Sequence, residues 1–373
     1  MLLERLLGKA RSLKGALAPP IRLAPRSIGS AEYAASGKGV WLEAFPAATR
    51  PAYPARQFGP IDVDFAKGLS AVVPASGVVT GKNLVLVGPH GLVADADADG
   101  AILEDHSWYR GYFDTMPPPA NPRTLRRLKG RVLALVSDWS PTSYGHFVQD
   151  VLPRLAILEA LKIDLASFDH IVCGAPTDFC VFLLSRAGVP ERKIVKLRSD
   201  EAIKADELTI PTFPGSRRGM EKWAGDYIHQ LMPPAASPKR RIYVARPSRR
   251  PVNEDRLLDI VAKKGFEYYR PELDEANQHK AFGEAEIVIG TAGSALANLV
   301  FCKPGTKILE LVPTDHTFPY YYAMSWACGL NYNYIGCESL SHRADNSIGP
   351  SHSDFNVDED VFRDALEALV AAE

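Results

Sequence analysis

The sequence predicts an α/β protein made of two Rossmann-like halves behind a β-rich N-terminal leader. Three observations predict it. Short apolar runs alternate with amphipathic stretches between about residues 131 and 211. A Pro-containing stretch, GDYIHQLMPPAASPKR, then interrupts, and the alternation restarts at residue 241. Such alternation is the pattern of a parallel sheet covered by helices. A length of 373 residues also favours two compact units over one.

The first segment, MLLERLLGKARSLKGALAPPIRLAPR, spaces Leu2, Leu3, Leu6, Leu7, Leu13 and Leu17 at helical intervals among Arg5, Lys9, Arg11 and Lys14. Its apolar stretches are too short for a secretory signal. Two readings are open for this arm, residues 1–35. In one, residues 1–26 form a basic amphipathic helix against the inner face of the cytoplasmic membrane. In the other, the arm packs on its own protein. Residues 36–115 form the leader, with β-rich runs such as SAVVPASGVVTGKNLVLVG. Inside it, DADADGAILEDH imitates the opening of a calcium loop, but His106 stands where the bidentate glutamate belongs and no helical pattern flanks it. A polar hairpin turn is expected there.

The first Rossmann-like half, residues 116–232, opens with the bridge TMPPPANPRT. Its expected strands are RVLALVS, DHIVCG, KIVKL and ELTIP, with helices at SYGHFVQDVLPRL and FCVFLLSRAG. The second half, residues 238–345, reads RIYVAR, FEYYR, EIVIG and TKILELV as strands, with NEDRLLDIVAKKG, DEANQHKAFGEA and GSALANLVFC as helices. Asn253 is a suitable N-cap with Glu254 and Asp255 in the first turn. The closing segment, 355–373, is expected to form a helix that packs back on the first half.

Composition narrows the function. A formal net charge of -1 argues against a nucleic-acid binder, which needs a basic surface. Five cysteines at scattered spacing form no C-x-x-C pair and read as reduced, in a cytoplasmic protein. No clustered ligand set appears among the nine histidines, so no metal is expected.

Two stretches carry chemistry. In EIVIGTAGSALANLVFCKPGTKILELVP, a strand ends at Gly290, the small residues Thr291, Ala292, Gly293 and Ser294 turn, and a helix begins with its free N–H groups outward. Phosphate binds at such an end, and close strand–helix packing asks for the same small residues. Glu310 is expected at the carboxyl edge of the next strand, where it could accept from ribose hydroxyls. Arg246, Arg249 and Arg250 follow another strand of the same sheet and supply guanidinium groups suited to diphosphate. The second stretch is SYGHFVQDVLPRL. A helix begun at Ser143 turns Phe147, Val148, Val151, Leu152, Leu155 and Leu158 to the core, leaving His146, Gln149, Asp150 and Pro153 opposite. His146 and Asp150, four apart, can touch. They are either a surface ion pair or a proton-transfer pair in a cleft. In the second case unperturbed proton affinities favour Asp150 as the base and His146 as its orienting partner.

Taken together and in order, these residues resemble glycosyltransferase family 61 over about residues 132–334. The family pattern Y-x-H-W-x-x-D-x-L-P-R-L is similar to residues 144–155, with Phe147 in place of tryptophan. Its S-R-x-x-x-R-x-x-N-E segment is similar to 245–254, matching Arg246, Arg250, Asn253 and Glu254. Its G-x-H-G-A-x-L-x-N-x-x-F-x-x-P-G-x-x-x-x-E-L-x-P segment is similar to 290–313, with Ala292 where the family has histidine. The resemblance implies a GT-B-like fold and inverting, metal-independent transfer from a UDP-sugar to a glycan or glycoconjugate in surface or capsular polysaccharide synthesis. No cofactor beyond the donor substrate is implied. Arg246, Arg250, Asn253, Gly293, Ser294 and Glu310 would hold the donor, and Asp150 with His146 would face the acceptor. A polysaccharide pyruvyl transferase and a non-catalytic sugar-binding scaffold are the alternatives.

Overall fold

The computed structural model describes residues 23, 26–65, 69–88, 91–97, 100–106, 122–137, 139–215, 219–340 and 354–371. The amphipathic arm, apart from its last residues, and most of the Pro-rich bridge lie outside them. Among the described residues no helix is long and apolar enough to cross a membrane.

The chain is α/β, with two large sheets. In the first, strand Thr124–Leu135 runs parallel to His170–Cys173 on one side and to Glu201–Pro211 on the other. Its last four residues, Val132 to Leu135, are all buried, as a central strand covered on both faces requires. The leader is no unit of its own. Leu84–Val87 and Ser76–Gly81 pair antiparallel with Glu201–Pro211, and Gly39–Phe45 pairs with Ser76–Gly81. The stretch that imitates a calcium loop is, as expected, a hairpin, between Leu92–Asp95 and Ile102–Leu103, and the Asp95 carboxylate is taken by Lys38 at 2.7 Å.

In the second sheet, Glu267–Tyr269, Arg240–Val244, Ala285–Thr291, Lys307–Pro313 and Asn331–Ser339 lie side by side, all parallel. The leader reaches this sheet too, because Arg56–Phe58 adds a parallel strand beside Asn331–Ser339. It therefore straps the two halves together. The start of GDYIHQLMPPAASPKR, expected to be a linker at the end of the first half, is instead part of helix Lys222–Leu231, which packs on Arg154–Ala160 and on Tyr320–Ala327 of the second half. A methyl at Gly225 would collide with the backbone of Ala327, so only glycine permits that approach.

The closing helix, Glu359–Ala371, corrects another expectation. Its Phe362, Ala365, Leu366 and Leu369 pack with Leu257, Val261, Ile287 and Leu309 against the second sheet, not the first half. The anchor is Asn253. Its side chain does not cap the helix Glu254–Ala262; instead it donates to Val357 O at 2.8 Å and accepts from Val357 N at 3.3 Å.

The expected helix at SYGHFVQDVLPRL is present but broken into three parts: an α-turn Tyr144–His146, a π-turn Phe147–Val151 and an α-helix Arg154–Ala160. The expected helix at GSALANLVFC is a 3-10 run, Ser294–Phe301. Both runs begin just after parallel strands end, so they meet at one edge of the molecule.

Candidate active site

Loops after the carboxyl ends of four parallel strands build the site: Thr124–Leu135 from the first sheet, and Arg240–Val244, Ala285–Thr291 and Lys307–Pro313 from the second. Crevices at such edges are where open α/β sheets bind ligands. The two halves touch here directly. A β-carbon at Gly145 would sit 3.3 Å from Ser294, and Tyr144 Oη donates to Asn298 Oδ1 at 2.6 Å.

On the first half, Ser143 caps the turn by accepting from the His146 amide at 3.5 Å, a long contact. The π-turn that follows places His146 Nδ1 2.8 Å from Asp150 Oδ2. π-Turns inside helices often mark functional positions. Ser137 Oγ lies 3.5 Å from the same Asp150 oxygen. Only the histidine is accessible, because its side chain is 24% exposed and that of Asp150 4%. With the ring N–H at Nδ1 donating to the carboxylate, Nε2 carries the lone pair of the ring. Trp139, in the left-handed region at φ 59°, lies 5.1 Å from the His146 ring centroid, and Tyr320 of the other half lies 6.4 Å away. Gln149, expected on the open face, is buried with Asp150 and Arg154.

Arg154 is missing from the sequence-based set of site residues, yet it fixes this helix. Fully buried, it donates from Nε to Asp150 O at 2.7 Å and from Nη1 to Val136 O and Pro211 O at 3.3 Å each. Its guanidinium also lies over the Phe213 ring at 4.8 Å. The signal was present in the L-P-R-L stretch, but periodicity puts an arginine there on the solvent side.

On the second half, the Arg246 guanidinium lies against Gly293, where a β-carbon would collide with it. The glycine is needed for this contact and not for its backbone, which is extended at φ 167°. Burial, with the charge of Arg249 beside it, pushes the Arg246 guanidinium down to about 10, and burial lowers that of Arg249 as well. Arg246 Nη1 is buried and has no hydrogen-bond partner among the described residues. Among the described residues neither arginine forms an ion pair, whereas Arg250 Nη1 reaches Glu254 Oε2 at 3.3 Å. Arg249 holds φ 52°, a costly conformation for a non-glycine residue. Two neighbouring cations with an orphaned buried donor form a local anion site in a chain with almost no net charge.

The structure thus brings together His146, Asp150, Arg246, Gly293 and Ser294. It turns Arg250 and Asn253 to structural partners. Glu310 also departs from expectation. It sits in the middle of Lys307–Pro313, opposite Gly290, 1% exposed, and accepts from Tyr332 Oη at 2.6 Å. Burial pushes its carboxyl up to about 8, so it is mostly protonated at neutral pH. The turn at Gly293 begins a 3-10 run, which presents a weaker array of free N–H groups than an α-helix. Tyr321, unmarked by any sequence motif, closes the turn by donating from Oη to Gly293 O at 2.6 Å.

The Glycosyltransferase 61 family model matches residues 144–309, a little under half of the chain. The match supports glycosyltransferase family 61. It begins at the tyrosine that bridges the two halves and contains His146, Asp150, the arginine loop and the Gly293 turn. Glu310 lies one residue past its end. No curated protein matches the chain.

Proposed function

We propose that this protein is an inverting, metal-independent glycosyltransferase of GT-B type. It moves a sugar from a UDP-sugar to a hydroxyl of a glycan or glycoconjugate in surface or capsular polysaccharide synthesis. One observation carries the reading: Arg246 and Arg249, which form no ion pair among the described residues, stand at the same strand edge as a histidine hydrogen-bonded to a buried aspartate. The arginines neutralise the diphosphate as it leaves, a task that preorganised charges perform without a cation. Nε2 of His146 takes the proton of the acceptor hydroxyl as its oxygen attacks the anomeric carbon from the opposite side. Asp150 orients the imidazole and stabilises its charged form. These roles reverse the expectation from unperturbed proton affinities, and what supports the reversal is the exposure of the histidine and the burial of the aspartate.

The test is UDP release from a panel of nucleotide sugars with and without excess EDTA. One donor should be turned over equally well with chelator present, and Arg246→Ala should weaken UDP binding. Activity that vanishes with EDTA and returns with manganese would overturn the metal-free mechanism. Dependence on phosphoenolpyruvate would favour a pyruvyl transferase. UDP binding with no turnover of any donor would favour a sugar-binding scaffold, for which Ala292 in place of the family histidine is the motive.

A further inference from the structure

The loop after Lys307–Pro313 lies beside the Gly293 turn because its strand is the parallel neighbour of Ala285–Thr291, in register Thr291 to Leu311. The loop is well anchored. Asp315 Oδ1 accepts from Ser339 Oγ at 2.7 Å, the Asp315 amide donates to the same hydroxyl at 3.3 Å, and the His316 amide donates to Pro313 O at 2.9 Å. The His316 ring packs edge-on against Phe318 at 4.7 Å. Phe318 meets Tyr320 at 5.7 Å, and Tyr320 meets His146 at 6.4 Å. An aromatic row therefore runs from His316 across the crevice to the proposed base. At the His316 end stand Arg249 and Arg246, and Asp315 is its only close anion among the described residues. Ala292 contributes no polar group, and Tyr321 Oη is spent on Gly293 O.

We infer that His316 is a third side chain of the diphosphate site, giving a ring N–H to the oxygens that Arg246 and Arg249 would hold. The inference rests on the diphosphate reading above. Burial first, and then the charges of Arg249 and Arg246, push the imidazole down to about 4 against a pull upward from Asp315. It is neutral in the unliganded protein, so it adds a donor without a third repelling charge. It also lies outside the stretch matched by the family model.

Calorimetric titration of the full chain with UDP and with inorganic pyrophosphate tests the assignment, using His316→Gln, His316→Asn and, as a reference, Arg246→Ala. Loss of one hydrogen bond to a charged group should weaken both ligands about 10-fold or more in either histidine variant, with the thermal melt unchanged. If the histidine variants bind both ligands as the wild type does while Arg246→Ala does not, His316 is no part of the site. If the wild type ignores UDP but binds pyrophosphate in a His316-dependent way, the anion site stands and the UDP-sugar reading fails. If neither ligand binds the wild type, both fail.

Discussion

At the scale of single residues, partnership decides function more than residue type does. Three arginines lie within five positions, yet Arg250 has a carboxylate partner in Glu254 and, among the described residues, the other two form no ion pair. The same reasoning divides His146 from Asp150. His146→Gln should lower turnover by roughly 10²–10⁴, the usual worth of a general base, and Asp150→Asn should be milder, with UDP affinity unchanged in both. Steady-state kinetics on the true acceptor check this; a crippled Asp150→Asn beside a mild His146→Gln would return the base to the aspartate. Glu310 makes a different prediction. Its carboxyl is held near 8 in the folded chain and near the ordinary 4.5 when unfolded, so its stabilising contribution is complete in acid and drains away as pH rises through that window. Glu310→Gln should therefore gain thermal stability relative to wild type between about pH 5 and pH 8 and bind UDP normally. Melting curves that stay parallel across the series, or a loss of UDP affinity, would show that this reading of Glu310 is wrong.

At the scale of elements, the helix holding the proposed base is not a simple amphipathic rod. The π-turn shifts its register by one residue and turns the polar positions Gln149 and Asp150 inward. Arg154 makes that burial tolerable by donating to carbonyls at the ends of two strands. Replacing it by alanine leaves several buried acceptors unsatisfied, and a loss of about 3–5 kcal/mol is expected by analogy with other broken buried charge networks. Urea unfolding measures it, and a change under 1 kcal/mol would mean that water or neighbours satisfy those carbonyls. The register shift could not be read from apolar spacing, because a single inserted residue leaves the repeat on either side intact.

At the scale of the molecule, one hydrophobic core runs through both halves. Phe147 and Leu152 of the first half, Met324 and Tyr332 of the second, and Ile228 of the intervening helix belong to it. The leader adds strands to both sheets, and Arg50 from it forms a buried ion pair at 2.5 Å with Glu221, just before that helix. Thermal unfolding should accordingly give one calorimetric transition for the whole chain. Two resolved transitions would mean that the halves fold as separate domains and that the strap is a weak tether.

The alternation of strands and helices, the parallel sheets, and the location of His146, Asp150, Arg246 and Gly293 just after strand ends were legible in the sequence. Each follows from local periodicity and from small or polar residues at the end of an apolar run. Only the tertiary structure decided the rest. It merged the leader into two sheets, because strand pairing over long separations leaves no local signal. It carried the closing helix to the second sheet, since an amphipathic face records that it is buried but not against what. It left Arg246 and Arg249 without ion-pair partners among the described residues, turned Glu310 inward and drew His316 to the same edge. Those outcomes depend on which groups distant parts of the chain bring alongside, and a linear pattern of residue types does not contain that.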